Sequence, residues 1–164
     1  MTTAFSRWSA AALVTAALVW LPQGAQAQEN PLKRLAGSWS GNGTITMNDG
    51  TRERIRCRAS YRNDGQGGAD TDIELRCASD SYKFELSAQV SYSGGHITGN
   101  WSESTRGVAG NISGTAKPGR IDVRAIGQTF AALLTITSRS DSQSVSIRSP
   151  GSTMQEVAIT LARR

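Results

Sequence analysis

From Gly37 to the C-terminus, apolar and polar residues alternate almost one for one in short runs separated by turn residues. Alternation with period two marks strands that bury one face. The runs predict strands near 38–48, 51–61, 71–78, 82–92, 96–103, 107–116, 120–126, 129–138, 143–148 and 154–162. Between them lie Asn48-Asp49-Gly50, the Asn63-to-Gly68 loop, Ser79-Asp80, Ser93-Gly94-Gly95, Lys117-Pro118-Gly119, Gly127-Gln128 and Ser149-Pro150-Gly151. Links this short make consecutive strands hairpin neighbours. The run 129–136 also admits a helix, but it has no clean caps.

One phrase recurs: Leu35-Ala-Gly-Ser-Trp-Ser, Ile97-Thr-Gly-Asn-Trp-Ser and Val108-Ala-Gly-Asn-Ile-Ser. A glycine inside a strand marks a bend or a close backbone approach. On the inward phase lie Trp39, Ile45 and Met47, then Phe84, Leu86, Val90 and Tyr92, and later Ile97, Trp101, Val108 and Ile112. Ile121, Val123, Val157, Ile159 and Leu161 continue it. One apolar face per strand and short links predict an all-β fold. It is a single antiparallel up-and-down β-barrel of about 8–10 strands, preceded by a short N-terminal helical turn. That turn falls within 28–37, with Asn30 as cap, Pro31 in first position and Gly37 as stop, and Leu32 and Leu35 toward the core.

The same phase holds Gly41, Gly43, Ala59, Ala88, Gly99, Gly110, Gly114 and Ala125. Small inward residues mean either tight bending around a filled core or unfilled space for a ligand. The candidate ligand-binding residues of such an interior are Trp39, Tyr61, Phe84, Tyr92 and Trp101.

Cys57 and Cys77 are the only cysteines. Facing them across the hairpin 51–61/71–78 pairs Ala59 with Leu75 and Tyr61 with Ile73. Ile55, Cys57, Ala59, Tyr61, Ile73, Leu75 and Cys77 then share one face, and Arg52, Arg54, Arg56, Arg58 and Arg62 the other. A slip of one residue would destroy this match. A disulfide is therefore expected. A redox pair would call for Cys-x-x-Cys spacing, which is absent.

Residues 1–27 have the parts of a signal peptide: Arg7, an apolar run from Ala10 to Leu21, and Ala25-Gln-Ala27 as cleavage site. The domain plan is thus a signal peptide (1–27), an N-terminal segment (28–37) and a barrel (38–164). It implies a periplasmic or secreted protein with no transmembrane segment in the mature chain. The full chain carries 18 basic and 13 acidic residues, a net charge of +5. Such a mild excess argues for no nucleic-acid partner.

Leu35-Ala-Gly-Ser-Trp-Ser-Gly-Asn-Gly-Thr after a helical turn resembles the Gly-x-Trp opening of calycin-type barrels, which include lipocalins, fatty-acid-binding proteins, avidins and nitrobindin-like haem barrels. The Ile97-Thr-Gly-Asn-Trp phrase is similar to avidin's strand openings. The resemblance implies a ligand-binding barrel without choosing the ligand. Avidins place several tryptophans late, whereas here Trp101 is the last. Nitrobindin-like barrels ligate haem through a late His, whereas here the one histidine is His96 in a Gly-Gly-His turn. No cofactor is expected.

Nor is an enzyme expected. A lone His supports neither a zinc site nor a Ser–His–acid triad. Glu53, Asp72, Glu74, Glu85 and Asp122 are spaced singly, on what reads as the outward face. Gly65-Gln-Gly-Gly68 has no following helix to cradle a phosphate. Asn42-Gly-Thr, Asn100-Trp-Ser and Asn111-Ile-Ser match glycosylation acceptors by chance composition. Two functions remain. One is binding of a small apolar or amphipathic ligand inside the barrel. The other is a non-enzymatic envelope role, such as inhibition of a secreted enzyme, with an envelope protein partner contacting the arginine face or a free N-terminal segment 28–35.

Overall fold

The computed structural model describes residues 29–64, 69–129 and 131–164; the segment 1–27, expected to be a signal peptide, and the Gly65–Gly68 loop lie outside them. A 3-10 turn, Pro31–Leu35, precedes ten strands: β1 (Gly37–Met47), β2 (Arg52–Asn63), β3 (Asp70–Ala78), β4 (Lys83–Ser93), β5 (His96–Glu103), β6 (Val108–Lys117), β7 (Arg120–Gly127), β8 (Ala131–Arg139), β9 (Ser142–Arg148) and β10 (Met154–Arg163). Each strand pairs antiparallel with the next, and β1 pairs with β10 to close the barrel. Closure leaves no sheet edge to recruit another strand. The ambiguous run is strand β8, because Ala132, Leu134 and Ile136 alternate inward with Leu133, Thr135 and Thr137 outward.

The β2–β3 hairpin has the register that the cysteines and the apolar face demand. Cys57 faces Cys77, Ala59 faces Leu75 and Tyr61 faces Ile73. The disulfide is formed. Outside, Arg62 reaches Glu74 at 2.9 Å, the diagonal neighbour, while Arg58 stands directly opposite Arg76.

One end of the barrel is closed. Asn30 caps the 3-10 turn by accepting the Leu32 N–H at 2.9 Å, and Leu32 and Leu35 are each 1% exposed. The segment is thus a buried plug rather than a free contact arm, because Pro31, Leu32 and Leu35 have an apolar barrel end to cover. The Trp39 indole N–H donates to the Leu35 carbonyl at 2.8 Å. Arg163, from β10, donates to the carbonyls of Ala36 and Arg34 and to Asp141, and stacks 4.3 Å above the Trp39 ring. The last strand therefore clasps the first segment.

The inward glycines resolve the choice between bending and emptiness. A Cβ on Gly110 would collide with the carbonyl oxygen of Ile126, and one on Gly41 with that of Thr160. Gly43, Gly99 and Gly114 meet a neighbouring strand's backbone in the same way. These positions are where coiled strands press together, and they enclose no space. Among the acidic residues, Glu53 departs from the outward face that its neighbours in the sequence suggest. Glu53 shares the phase of Ile55 rather than that of the arginines, and at the strand end it accepts the Ser81 N–H at 3.0 Å.

Candidate functional site

The opposite end, ringed by the loops at 48–51, 79–82, 104–107, 128–129 and 149–153, holds a cavity of about 470 Å³. That is within the range of small-molecule sites. Its walls are Met47, Phe84, Trp101, Ala125, Ala132 and Ile147, with Leu86, Val108, Leu134 and Met154 half-buried among them. The last four share the inward phase or close a strand end, yet they stay accessible. Their unburied surface faces the cavity, not the outer solvent. The room comes from short Ala125 and Ala132 opposite the mouth loops; of the eight small inward residues read from the sequence, only Ala125 contributes to it.

Two charged residues sit at this mouth. Glu103 continues the inward phase of Ile97, Gly99 and Trp101, and is 7% exposed. Its carboxylate accepts the N–H groups of Glu85 at 2.9 Å, Thr105 at 3.0 Å and Arg106 at 2.9 Å, and the Thr105 hydroxyl. Burial alone pushes the Glu103 carboxyl up, but these hydrogen bonds outweigh it and hold the pKa below the ordinary glutamate range. Glu103 thus pins the β5–β6 turn in anionic form. The turn in turn places Arg106 on the cavity wall, with its guanidinium 3.6 Å from Glu103 and still exposed. Because Glu103 is saturated by four other donors, most of the Arg106 N–H groups remain for a ligand.

The five sequence-predicted site residues divide between the two ends. Phe84 and Trp101 line the cavity. Trp39, Tyr61 and Tyr92 lie in the plugged half. Tyr61 donates to the Gln143 side-chain carbonyl at 2.9 Å, and burial pushes its hydroxyl far above the ordinary tyrosine value. Gln143 is fully buried; its amide nitrogen and the Tyr92 hydroxyl have no hydrogen-bond partner among the described residues. Glu103, Arg106 and Gln143 were missed from sequence. For Glu103 and Gln143 the signal was present, as a polar residue on an apolar phase. For Arg106, a turn residue, there was none. His96 stands exposed at its turn.

A scan of protein-family models finds no match, and neither does a search of curated proteins. Solved structures do resemble this chain. The crystal structure of Rv2717c from M. tuberculosis superposes with a TM-score of 0.62 at 15% identity, over 81% of this chain and 94% of that one. The S-type phycobiliprotein lyase CPES from Guillardia theta gives a TM-score of 0.55 at 12% identity, over 81% and 90%. At such identities the likeness is one of fold alone, the closed antiparallel barrel.

Proposed function

We propose that this chain is an exported, non-enzymatic barrel that takes a small apolar or amphipathic molecule into its open end. The observation that carries this reading is the apolar cavity of about 470 Å³ beside Trp101. Inward Leu86, Val108 and Leu134 keep accessible surface there, and covering that surface would stabilise a complex by roughly 25 cal/mol per Å² of apolar area. Arg106 at the rim suits an anionic or strongly dipolar head group facing the mouth. The plug at the other end makes the cavity blind, so a ligand enters and leaves by one route. Export is supported by the signal-like segment and by the Cys57–Cys77 bridge, which needs an oxidising compartment.

The test uses residues 28–164 exported from a bacterial host. Trp39→Phe leaves Trp101 as the sole tryptophan of that chain. Titration with the amphipathic anion anilinonaphthalene sulfonate is expected to give saturable, one-to-one energy transfer from Trp101. Ala132→Phe, or Ala125→Leu should that variant not fold, fills the cavity and is expected to abolish the transfer. Non-saturable transfer, or transfer unchanged by a folded cavity-filling variant, refutes the site.

A further inference from the structure

We propose that the outer wall built by β2, β1, β10 and β9 is a groove for an extended anionic polysaccharide. Three independent features carry this. The first is charge left without a partner. Arg34, Arg62, Arg76, Lys83, Arg106, Arg120, Arg148 and Arg163 each contact an acid. Among the described residues Arg52, Arg54, Arg56 and Arg58 do not, and unlike the scattered Lys33, Lys117, Arg124 and Arg139, which also lack an ion pair, they line up on one strand. They stand outward at alternate positions of one strand, about 7 Å apart. Arg58 lies opposite Arg76 across β3, and Arg164 donates to Ser40, the residue facing Arg58 on its other side. Like charges placed directly opposite destabilise a sheet. Arg76 reaches Glu74 at 3.8 Å, but among the described residues Arg58 and Arg164 contact no acid, and folding has no use for that added charge.

The second feature is shape. The outside of a closed barrel is convex, yet here it is hollowed by about 1140 Å³, with Arg54 and Arg56 on one bank. A second hollow of about 480 Å³ shares Asn42 and Arg56 with it and extends past Arg58 and Arg76. The hollow exists because the long arginines of β2 overlook short side chains on β1, β10 and β9. Glu53 and Asp80 bound it at one end.

The third feature is the floor. The register sets Arg56, Asn42, Thr160 and Ser144 in one row across the strands, and Arg54, Thr44, Ala158 and Ser146 in the next. The side chains of Asn42, Thr44, Thr160 and Ser144 make no hydrogen bond among the described residues, so their donors and acceptors are open to a ligand. Arginine forks match carboxylate or sulfate groups, while a floor of hydroxyls and amides matches sugar hydroxyls. A trough suits a chain rather than a flat bilayer. Among the described residues the large exposed apolar side chains, Ile126 and Leu133, lie on β7 and β8, away from the arginines.

The experiment titrates the exported chain with alginate oligosaccharides, a polyuronate, beside neutral dextran and vesicles containing phosphatidylglycerol. Alginate is expected to bind with an affinity that falls steeply as salt rises, and dextran is not. Arg54→Gln/Arg56→Gln should weaken binding about tenfold, whereas the charge-matched Lys117→Gln/Arg124→Gln on the far wall should change it less than about twofold. Thr160→Glu, in the floor, should abolish binding with every arginine retained. The proposal is overturned by absence of alginate binding, by equal losses in the two double variants, or by binding to vesicles without binding to alginate.

Discussion

Gly110→Ala is the most direct probe of how this barrel holds its shape. Gly110 faces Gly127 across β6 and β7. A methyl group there would lie 2.6 Å from the Ile126 carbonyl carbon and 2.8 Å from the Gly127 Cα, besides striking the carbonyl oxygen, where ordinary contact begins near 3.4 Å. To clear the carbonyl oxygen, the two strands would have to part by more than 1 Å. Two flanking ladder hydrogen bonds would stretch beyond good geometry, at about 1 kcal/mol each. Residual overpacking adds about 1–3 kcal/mol. Alanine recovers about 0.5 kcal/mol by restricting the unfolded chain. The expected net loss is about 3 kcal/mol, measured as the shift in free energy from urea denaturation at constant m-value. Gly107→Ala is the control. Gly107 has φ of +64° with nothing within 4 Å of the added methyl, so its cost is only the left-handed backbone, about 1 kcal/mol. A loss below about 0.5 kcal/mol at Gly110, or a loss no larger than at Gly107, would refute the account of inward glycines as points of strand contact.

Two further outcomes follow from the geometry. Glu103→Gln removes the charge from a carboxylate with four donors and should cost about 2 kcal/mol at neutral pH. Because the folded pKa is lowered, that stability is complete above the unfolded value near 4.3 and is lost as pH falls through the folded value. The gap in urea midpoint between wild type and variant should therefore be flat from pH 7 to about 5 and shrink below; a gap that widens on acidification contradicts the ionised clamp. Cys57→Ala/Cys77→Ala opens a loop spanning 20 residues and should lower stability by about 3 kcal/mol. The hairpin register should survive, as the cross-strand amide contacts between Ala59 and Leu75 would show by NMR. Loss of those contacts would mean that the bridge, not the apolar phase, sets the pairing.

Part of the candidate site is legible in the chain alone. Phe84 and Trp101 share a phase that has to point inward, and both meet the cavity. Trp39, Tyr61 and Tyr92 share that phase too, but they sit at the plugged end. Alternation reports which face a residue takes, not how far along the axis it lies from the open mouth. Glu103 broke the apolar pattern visibly. Its meaning came only from the turn that folds three N–H groups and a hydroxyl onto it.

What the sequence determined by itself is whatever rests on local or hairpin-range physics. That covers the strands, the capped turn at Asn30-Pro31, and the Cys57–Cys77 register, where a slip of one residue would have turned every apolar side chain outward. The tertiary structure decided what depends on partners far apart in the chain. The pairing of β1 with β10 closes the ring. Arg163 locks a plug formed about 130 residues earlier, since its Nη2 bonds the Arg34 carbonyl across a separation of 129. Closure also sets which inward positions are crowded by a neighbouring backbone, as at Gly110, and which are left with room, as at Ala132. The physical reason is the same in each case. Period two states the side of the sheet, while the space on that side is set by whichever strands the closed barrel brings across it.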